Sequence, residues 1–202
     1  MLEISTAHGP ARAHLHETSD PVGAIALGHG AGGGIKAPDL QAVTKAALGI
    51  GVSVALVEQP YRVAGRRSPA PAHQLDAAWR TIVEHLLDGP FQGLALIGGG
   101  RSSGARVACR TAADSGVCGV LCLAFPLIPP QRAQASAPKT RQPELDAVAV
   151  PVLVIQGDRD PFGQPPPSDS RRVVAVRGNH GLKSDLDMVA RAAADWLTSV
   201  LG

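Results

Sequence analysis

A serine in a glycine-framed pentapeptide is the residue of this chain best suited to nucleophilic chemistry. Ser102 lies in GRSSG, residues 100–104, which matches the pattern G-x-S-x-G and directly follows the apolar run at residues 94–97. A serine hydroxyl is a poor nucleophile until a base removes its proton, so the pattern requires a sharp strand-to-helix turn that exposes the hydroxyl to a histidine. Glycines on both sides leave room for such a turn. We therefore predict that Ser102 is a catalytic nucleophile.

A histidine and an aspartate on two later loops can activate this serine. His180 lies in the glycine-flanked segment RGNHG after one apolar run, and Asp158 and Asp160 lie in GDRDPFG after another. The imidazole can take the serine proton, and a carboxylate beside its second ring nitrogen fixes the tautomer and stabilises the imidazolium. We predict Asp160 rather than Asp158 as this acid, which gives the chain order Ser, Asp, His.

A glycine-rich loop supplies candidate hydrogen-bond donors for the oxyanion of an acyl transfer. The segment GHGAGGG, residues 28–34, follows the apolar run at residues 24–27 and presents backbone NH groups with few side chains in the way. Two preorganised amides aimed at an oxyanion are worth about 3 to 4 kcal/mol each. We predict the amides of Ala31 and Ser103 for this role, with Gly30 or Gly32 as alternatives to Ala31.

The same loop has a competing interpretation as a dinucleotide-binding fingerprint. Residues 28–33 match G-x-G-x-x-G, and Glu58 follows at a suitable separation. In that fingerprint the glycines lead directly into a helix, whereas Pro38 predicts a helix that starts several residues later. A Walker A phosphate loop is excluded more firmly, because Lys36 is neither preceded by Gly nor followed by Ser or Thr. We expect no cofactor and no metal.

Apolar runs alternate with amphipathic segments along most of the chain. Runs without polar alternation are typical of strands covered on both faces, as in a parallel sheet. The runs comprise residues 24–27, 52–57, 94–97, 117–124, 152–155 and 173–176. Apolar residues recur at helical spacing in residues 75–87 and 186–200, the second segment after a capping-box pattern at Ser184 and Asp187. The predicted fold class is α/β, a three-layer sandwich that binds ligands at the carboxyl ends of its strands.

Two stretches of the chain are less regular. Residues 11–17 alternate apolar and polar side chains, which predicts a half-exposed strand at a sheet edge. Residues 126–143 are rich in Pro, Gln, Arg and Ala and lack periodicity, so we expect a loop there. No linker is evident, and the length fits a single domain over residues 1–202.

Composition excludes several classes of function. With 45% hydrophobic and 18% charged residues, the chain is not intrinsically disordered. A net charge of +2 without a basic stripe gives no electrostatic footprint for nucleic acid. We expect no membrane insertion and no export, because there is no apolar run of about 18 residues and no signal-peptide pattern. Three cysteines without a C-x-x-C pair are typical of packed, reduced thiols, so we expect a cytoplasmic protein.

Four segments together resemble the α/β-hydrolase superfamily. They are GHGAGG at residues 28–33, GRSSG at 100–104, GDRDPFG at 157–163 and GNH at 178–180. Residues 61–71 and 125–130 are similar to a small uncapped branch related to dienelactone hydrolases and to the KANL/testis-expressed proteins. The resemblance implies a mostly parallel sheet of about seven to eight strands and no large cap domain.

The resemblance also implies the roles of site residues. Ser102, Asp160 and His180 would form a catalytic triad. Dienelactone hydrolases proper use a cysteine nucleophile where this chain has Ser102, so their substrate is not implied. The candidate pocket residues are Gly30, Tyr61, Arg62 and Phe162.

These patterns predict a serine hydrolase, similar to a carboxylesterase or thioesterase, that cleaves a small ester through an acyl-serine intermediate. The expected partner is a small-molecule ester or thioester, with no nucleic acid and no membrane. The short connection at residues 126–143 predicts an open, shallow site that favours short acyl chains. The alternative is a non-catalytic scaffold or interaction protein with the same fold, and a dinucleotide-binding protein is less favoured.

Overall fold

Strands and helices alternate through most of the chain, as the apolar runs predict. The computed structural model describes residues 1–129 and 140–202. Its strands are β1 (Leu2–Thr6), β2 (Gly9–His16), β3 (Gly23–Gly28), β4 (Val52–Glu58), β5 (Leu96–Arg101), β6 (Gly119–Leu123), β7 (Val152–Gly157) and β8 (Arg171–Val176). Its helices are α1 (Pro38–Gly49), α2 (Pro60–Val63), α3 (Ala72–Asp88), α4 (Ser103–Thr111), α5 (Gln142–Asp146) and α6 (Leu186–Leu201).

The strands form one sheet in the order β1-β2-β4-β3-β5-β6-β7-β8. β1 and β2 run antiparallel to their neighbours, and β3 to β8 pair in parallel. The chain leaves β3 toward β4 on one side and later returns to β5 on the other, so the loops after β3 and β5 diverge. Such a switch point opens a crevice at the carboxyl ends of the strands.

Helices cover both faces of the sheet. On β3, Ala24 and Ala26 face the cluster that contains Trp79 of α3, whereas Ile25 and Leu27 face the cluster that contains Trp196 of α6. Every residue of β3 is buried, which explains why its sequence shows no polar alternation. The three-layer α/β fold is confirmed, and the described residues form no separate cap domain. No helix among them has the length and apolarity that crossing a bilayer requires.

Two strand predictions need correction. The strand predicted at residues 11–17 exists, but it is not at the edge of the sheet, because β1 pairs along its outer side. β1 buries Ile4 between exposed Glu3 and Ser5, so a single buried side chain gave too weak a periodic signal. The run at residues 94–97 predicts a strand that begins two residues too early, and it misses the part of β5 that continues through glycines to Arg101. A Cβ on Gly99 would lie 2.6 Å from the carbonyl oxygen of Leu121, so close strand packing selects glycine there.

Two boundary predictions were also wrong. The cap of α6 is Asp185, whose side chain accepts a hydrogen bond from the amide of Met188, and not Ser184. The loop predicted at residues 126–143 already contains the start of α5 at Gln142. Residues 130–139 of that predicted loop lie outside the described residues.

Candidate functional site

Ser102 occupies the sharp turn between β5 and α4. Its backbone has φ 51° and ψ −106°, a left-handed conformation that is costly for a residue with a Cβ. Its amide donates to the carbonyl of Leu123 on β6 at 2.8 Å, which fixes the turn to the sheet. Strain of this kind persists only where the surrounding structure enforces it, and here it presents the serine hydroxyl above the end of β5.

The structure brings three sequence-predicted residues into one hydrogen-bonded series. Nε2 of His180 lies 3.0 Å from Oγ of Ser102, and Nδ1 of His180 lies 2.9 Å from Oδ2 of Asp160. The Asp160 side chain is fully buried and the His180 side chain is 20% exposed. Because the acid fixes the proton on Nδ1, Nε2 is left as the acceptor that faces the serine.

The carboxylate of Asp160 is held by contacts other than the histidine. Oδ1 accepts the amide of Phe162 at 2.9 Å, and Oδ2 accepts Nε2 of Gln156 at 2.9 Å. Gln156 is fully buried and also donates to the carbonyl of Phe125 at 3.0 Å. The sequence analysis missed Gln156, although its position at the end of β7, four residues before the acid, could have suggested a supporting amide.

Asp158, the alternative acid, lies on the other side of the same turn. Its Oδ1 accepts the amide of Gly178 at 2.8 Å, and its side chain is 49% exposed. This bond joins the loop after β7 to the loop that carries His180. Asp158 therefore braces the histidine loop through its backbone and does not face the imidazole.

An open cleft of about 380 Å³ surrounds Ser102. Both residues predicted for the oxyanion, Ala31 and Ser103, line it. Ser103 is the first residue of α4, and the first amides of a helix have no partner within the helix. Its NH is therefore available to the cleft. The apolar part of the wall comes from Pro69, Pro126 and Phe162.

Of the four candidate pocket residues, Phe162 alone belongs to the described wall of this cleft. Its ring meets the His180 ring edge to face, with centroids 4.6 Å apart. Tyr61 is buried behind the glycine-rich loop and donates its hydroxyl to the carbonyl of Ala31 at 3.3 Å. Gly30 packs under the cleft floor, and Arg62 lies on α2, away from the wall. Tyr61 thus supports the loop from behind.

His29 fixes the glycine-rich loop from within. Its Nδ1 donates to the carbonyl of Gly30 at 2.8 Å, and its Nε2 accepts the amide of Gln59 at 3.3 Å. This pattern needs the neutral ring, and burial lowers the pKa of His29 accordingly. A neutral imidazole therefore joins the loop after β3 to the loop after β4.

We expect the protein to lose stability as the pH falls through the histidine range. The folded chain holds His29 below its ordinary pKa of 6.5, so just below that pH the unfolded chain binds the proton more readily. The free energy of unfolding therefore rises with pH across the window between the two pKa values. Urea midpoints measured at about pH 5 and pH 7 check this. His29→Gln should reduce the difference between the two midpoints, and the control His16→Gln, at an exposed position, should keep it. The same midpoint difference in wild type and in both variants would contradict the assignment to His29.

Arg141 adds positive charge to the α4 side of the site, whereas two neighbouring arginines are paired with acids. Arg106 donates twice to Glu144, and Arg110 donates twice to Asp76. Arg141 lines the cleft and donates to the carbonyl of Pro126 at 2.8 Å, with no carboxylate partner among the described residues. Burial, and then the charge of Arg106, lower the pKa of Arg141. Residues 130–139 contain no Asp or Glu that could neutralise it.

The geometry differs from that of a dinucleotide site. The glycines at residues 28–33 are separated from the start of α1 by Gly34 to Ala37, and Glu58 is engaged with Nε2 of His14 at 2.8 Å. No helix amino terminus therefore meets a phosphate at these glycines. Within residues 1–129 and 140–202, no three His, Cys, Asp or Glu side chains are arranged to hold a metal ion.

Comparison of the sequence with known proteins identifies a family. A family model described as an alpha/beta hydrolase domain matches residues 21–185, from two residues before β3 to the cap of α6. No curated protein matches the chain. The matched residues include every strand-end loop of the site.

Comparison of the structure gives the same fold at low sequence identity. Est1E from Butyrivibrio proteoclasticus, solved with ferulic acid bound, is 15% identical, with a TM-score of 0.79 over 100% of this chain and 99% of that one. A dienelactone hydrolase from Anabaena variabilis is 19% identical, with a TM-score of 0.79 over 100% and 97%. An α/β serine hydrolase without lid from Xanthomonas campestris is 18% identical, with a TM-score of 0.76 over 98% and 93%. By its family model and by its fold, this chain belongs to the α/β hydrolases.

Proposed function

We propose that this chain is a serine hydrolase that cleaves small carboxylic esters or thioesters through an acyl-Ser102 intermediate. The single observation that carries the proposal is the hydrogen-bonded series from the Ser102 hydroxyl through His180 to the buried carboxylate of Asp160. The contact between Ser102 and His180 has the length that proton transfer requires, and the contact between His180 and Asp160 has the length of a hydrogen bond to an orienting carboxylate. The strained backbone of Ser102 is further support, because strain of this kind concentrates at functional sites.

The proposed reaction has two halves. His180 takes the proton from Oγ of Ser102 as that oxygen attacks the carbonyl carbon, and the amides of Ala31 and Ser103 stabilise the oxyanion. The imidazolium then gives its proton to the leaving alcohol or thiol, which departs as the carbonyl re-forms. In the second half, His180 takes a proton from water as the water oxygen attacks the acyl carbon. The bond between that carbon and Oγ of Ser102 then breaks, the carboxylic acid leaves, and the imidazolium returns its proton to Oγ. Asp160 stays ionised throughout and orients the ring.

The shape and charge of the cleft favour a narrow class of ester. The cleft that the described residues form is open and about 380 Å³ in volume, which suits a small acyl group better than a long chain. Arg141 has no hydrogen-bonded carboxylate among the described residues, so it favours an ester with a negative group close to the scissile bond. The three cysteines are free thiols, which supports the proposal of a reducing, cytoplasmic location.

A fluorophosphonate probe tests the proposal directly. An activated serine oxygen attacks the phosphorus and expels fluoride, so wild-type protein should be labelled and Ser102→Ala should not. Ser103→Ala is the matched control, because the proposed mechanism uses only its backbone amide, and it should label like wild type. Labelled protein should also have lost turnover of p-nitrophenyl acetate and of its anionic counterpart, p-nitrophenyl hemisuccinate. Wild-type protein that resists the probe as fully as Ser102→Ala would favour the non-catalytic scaffold.

A further inference from the structure

The guanidinium of Arg101 joins three segments around the serine. Arg101 is the last residue of β5, directly before Ser102. Its Nε donates to Oδ2 of Asp39 in the first turn of α1 at 2.9 Å, and its Nη2 donates to the backbone carbonyl of His180 at 3.0 Å. Its Nη1 lies against Gly30, where an added Cβ would come within 2.8 Å of it. One side chain thus contacts α1, the histidine loop and the glycine-rich loop.

Asp39 anchors this guanidinium from inside the protein. The Asp39 side chain is completely buried and the Arg101 side chain is 17% exposed. Oδ1 of Asp39 accepts the amide of Leu40 at 3.0 Å, so both carboxylate oxygens are engaged. Burial raises the pKa of Asp39, and the charge of Arg101 opposes that shift. Removing two charges from water is costly, so the ion pair contributes little net stability. Its contribution is that it holds the guanidinium of Arg101 in a fixed position.

The neighbouring ion pairs of the same wall do not share this arrangement. Arg106 binds Glu144 on α5, and Arg110 binds Asp76 on α3 and, at 3.4 Å, Glu144. Neither arginine donates to the histidine loop or the glycine-rich loop in the described structure. The guanidinium of Arg101 therefore differs from these two in that it contacts both the histidine loop and the glycine-rich loop.

We propose that Arg101, anchored by Asp39, is a positioning residue that sets the separation of the His180 loop and the glycine-rich loop on either side of Ser102. The inference rests on the proposed hydrolase function, because this separation determines whether ring, hydroxyl and oxyanion amides meet at one carbonyl group. A guanidinium suits the task, since its planar fork donates in fixed directions from Nε and Nη2. A lysine ammonium supplies one point charge and cannot hold both acceptors in the same geometry.

Four variants separate positioning from stability. Arg101→Met leaves the Asp39 carboxylate buried without its cation, and Asp39→Asn leaves the guanidinium without its anchor, so each should lower the melting temperature by about 10 °C. The double variant Asp39→Asn/Arg101→Met removes both charges and should recover most of that loss. Arg101→Lys keeps the charge opposite Asp39 but not the fork, and should stay close to wild type in melting temperature.

Activity should not follow stability across this set. In Arg101→Lys and in the double variant, kcat for p-nitrophenyl acetate should fall about 10- to 100-fold, while KM changes less than about twofold. Hydrogen exchange of the amides at residues 29–32 and 178–182 should accelerate in both. The control Asp76→Asn/Arg110→Met removes a pair whose side chains are 14% and 18% exposed. It also removes the contact of Arg110 with Glu144, which keeps Arg106 as its partner, and it should alter neither kcat nor the exchange of these loops.

Other results would contradict either the positioning role of Arg101 or the proposed hydrolase function. Wild-type kcat and wild-type loop exchange in the double variant would overturn the positioning role. A raised KM with unchanged kcat would also overturn it, because Arg101 would then bind substrate. If wild-type protein hydrolyses no ester, the proposed hydrolase function fails, and loop exchange in the double variant still decides whether Arg101 holds the two loops.

Discussion

The His180→Ala variant is expected to hydrolyse p-nitrophenyl acetate about 10⁴- to 10⁶-fold more slowly than wild type in kcat. Nε2 of His180 lies 3.0 Å from Oγ of Ser102, and no other described side chain donates to or accepts from that hydroxyl. Without the imidazole the serine keeps its proton and the leaving group receives none. Steady-state kinetics under saturating ester measures the effect, and KM should change little.

Related variants show whether the three residues act as a unit. Asp160→Asn should lower kcat by about 10⁴-fold, because an amide stabilises the wrong tautomer of the ring. The double variant Ser102→Ala/His180→Ala should be no slower than either single variant, since each alone already removes the nucleophilic step. His73→Ala, an exposed histidine on α3, is the control and should retain wild-type kcat. Additive losses in the double variant, or a His180→Ala enzyme near wild-type rate, would contradict the proposed mechanism.

The Gly104→Ala variant is expected to lose about 3 kcal/mol or more of its free energy of unfolding. A Cβ at this position would lie 2.6 Å from the carbonyl carbon of Gly28 and 2.9 Å from the carbonyl oxygen of His29. Both contacts are backbone atoms at the end of β3, so no side chain can move aside. The first turn of α4 would have to shift away from the sheet. The melting temperature should fall by about 6 to 12 °C.

The glycine-rich loop offers a matched control for that change. A Cβ added to Gly34 meets nothing within 4 Å, so Gly34→Ala should stay within about 0.5 kcal/mol of wild type. Urea denaturation of the three proteins, followed by circular dichroism, measures both effects. Equal midpoints for Gly104→Ala and Gly34→Ala would show that the contact between α4 and β3 relaxes without cost.

The loops of the candidate site could be predicted from the sequence because each one begins where an apolar run ends. Carboxyl ends of parallel strands share one edge of a sheet, so Ser102, Asp160 and His180 could be expected near one another from local patterns alone. The boundaries of β5 could not be predicted in the same way. Its glycines lack strand propensity and are selected by close contact with β3 and β6, which local sequence does not reveal.

The supporting residues needed the structure. Arg101 occupies a position that the pattern G-x-S-x-G leaves unspecified, and its partners lie 62 and 79 positions away along the chain. Gln156 reads as the polar end of an apolar strand, although it contacts the acid beside His180. Charge pairing across such separations is set by tertiary packing, so no local pattern indicates it. Tyr61, a candidate pocket residue in the sequence analysis, supports the glycine-rich loop from behind through its hydroxyl, a contact that local sequence does not indicate either.

The order of the strands makes the site dependent on the whole sheet. The glycine-rich loop follows β3 near one end of the chain, and His180 follows β8 near the other, with β5, β6 and β7 between them in the sheet. A folding intermediate that lacks the β7–β8 half would hold the serine without its base. A protease cut after β7 that releases β8, the His180 loop and α6 should therefore abolish hydrolysis while Ser102 remains chemically intact.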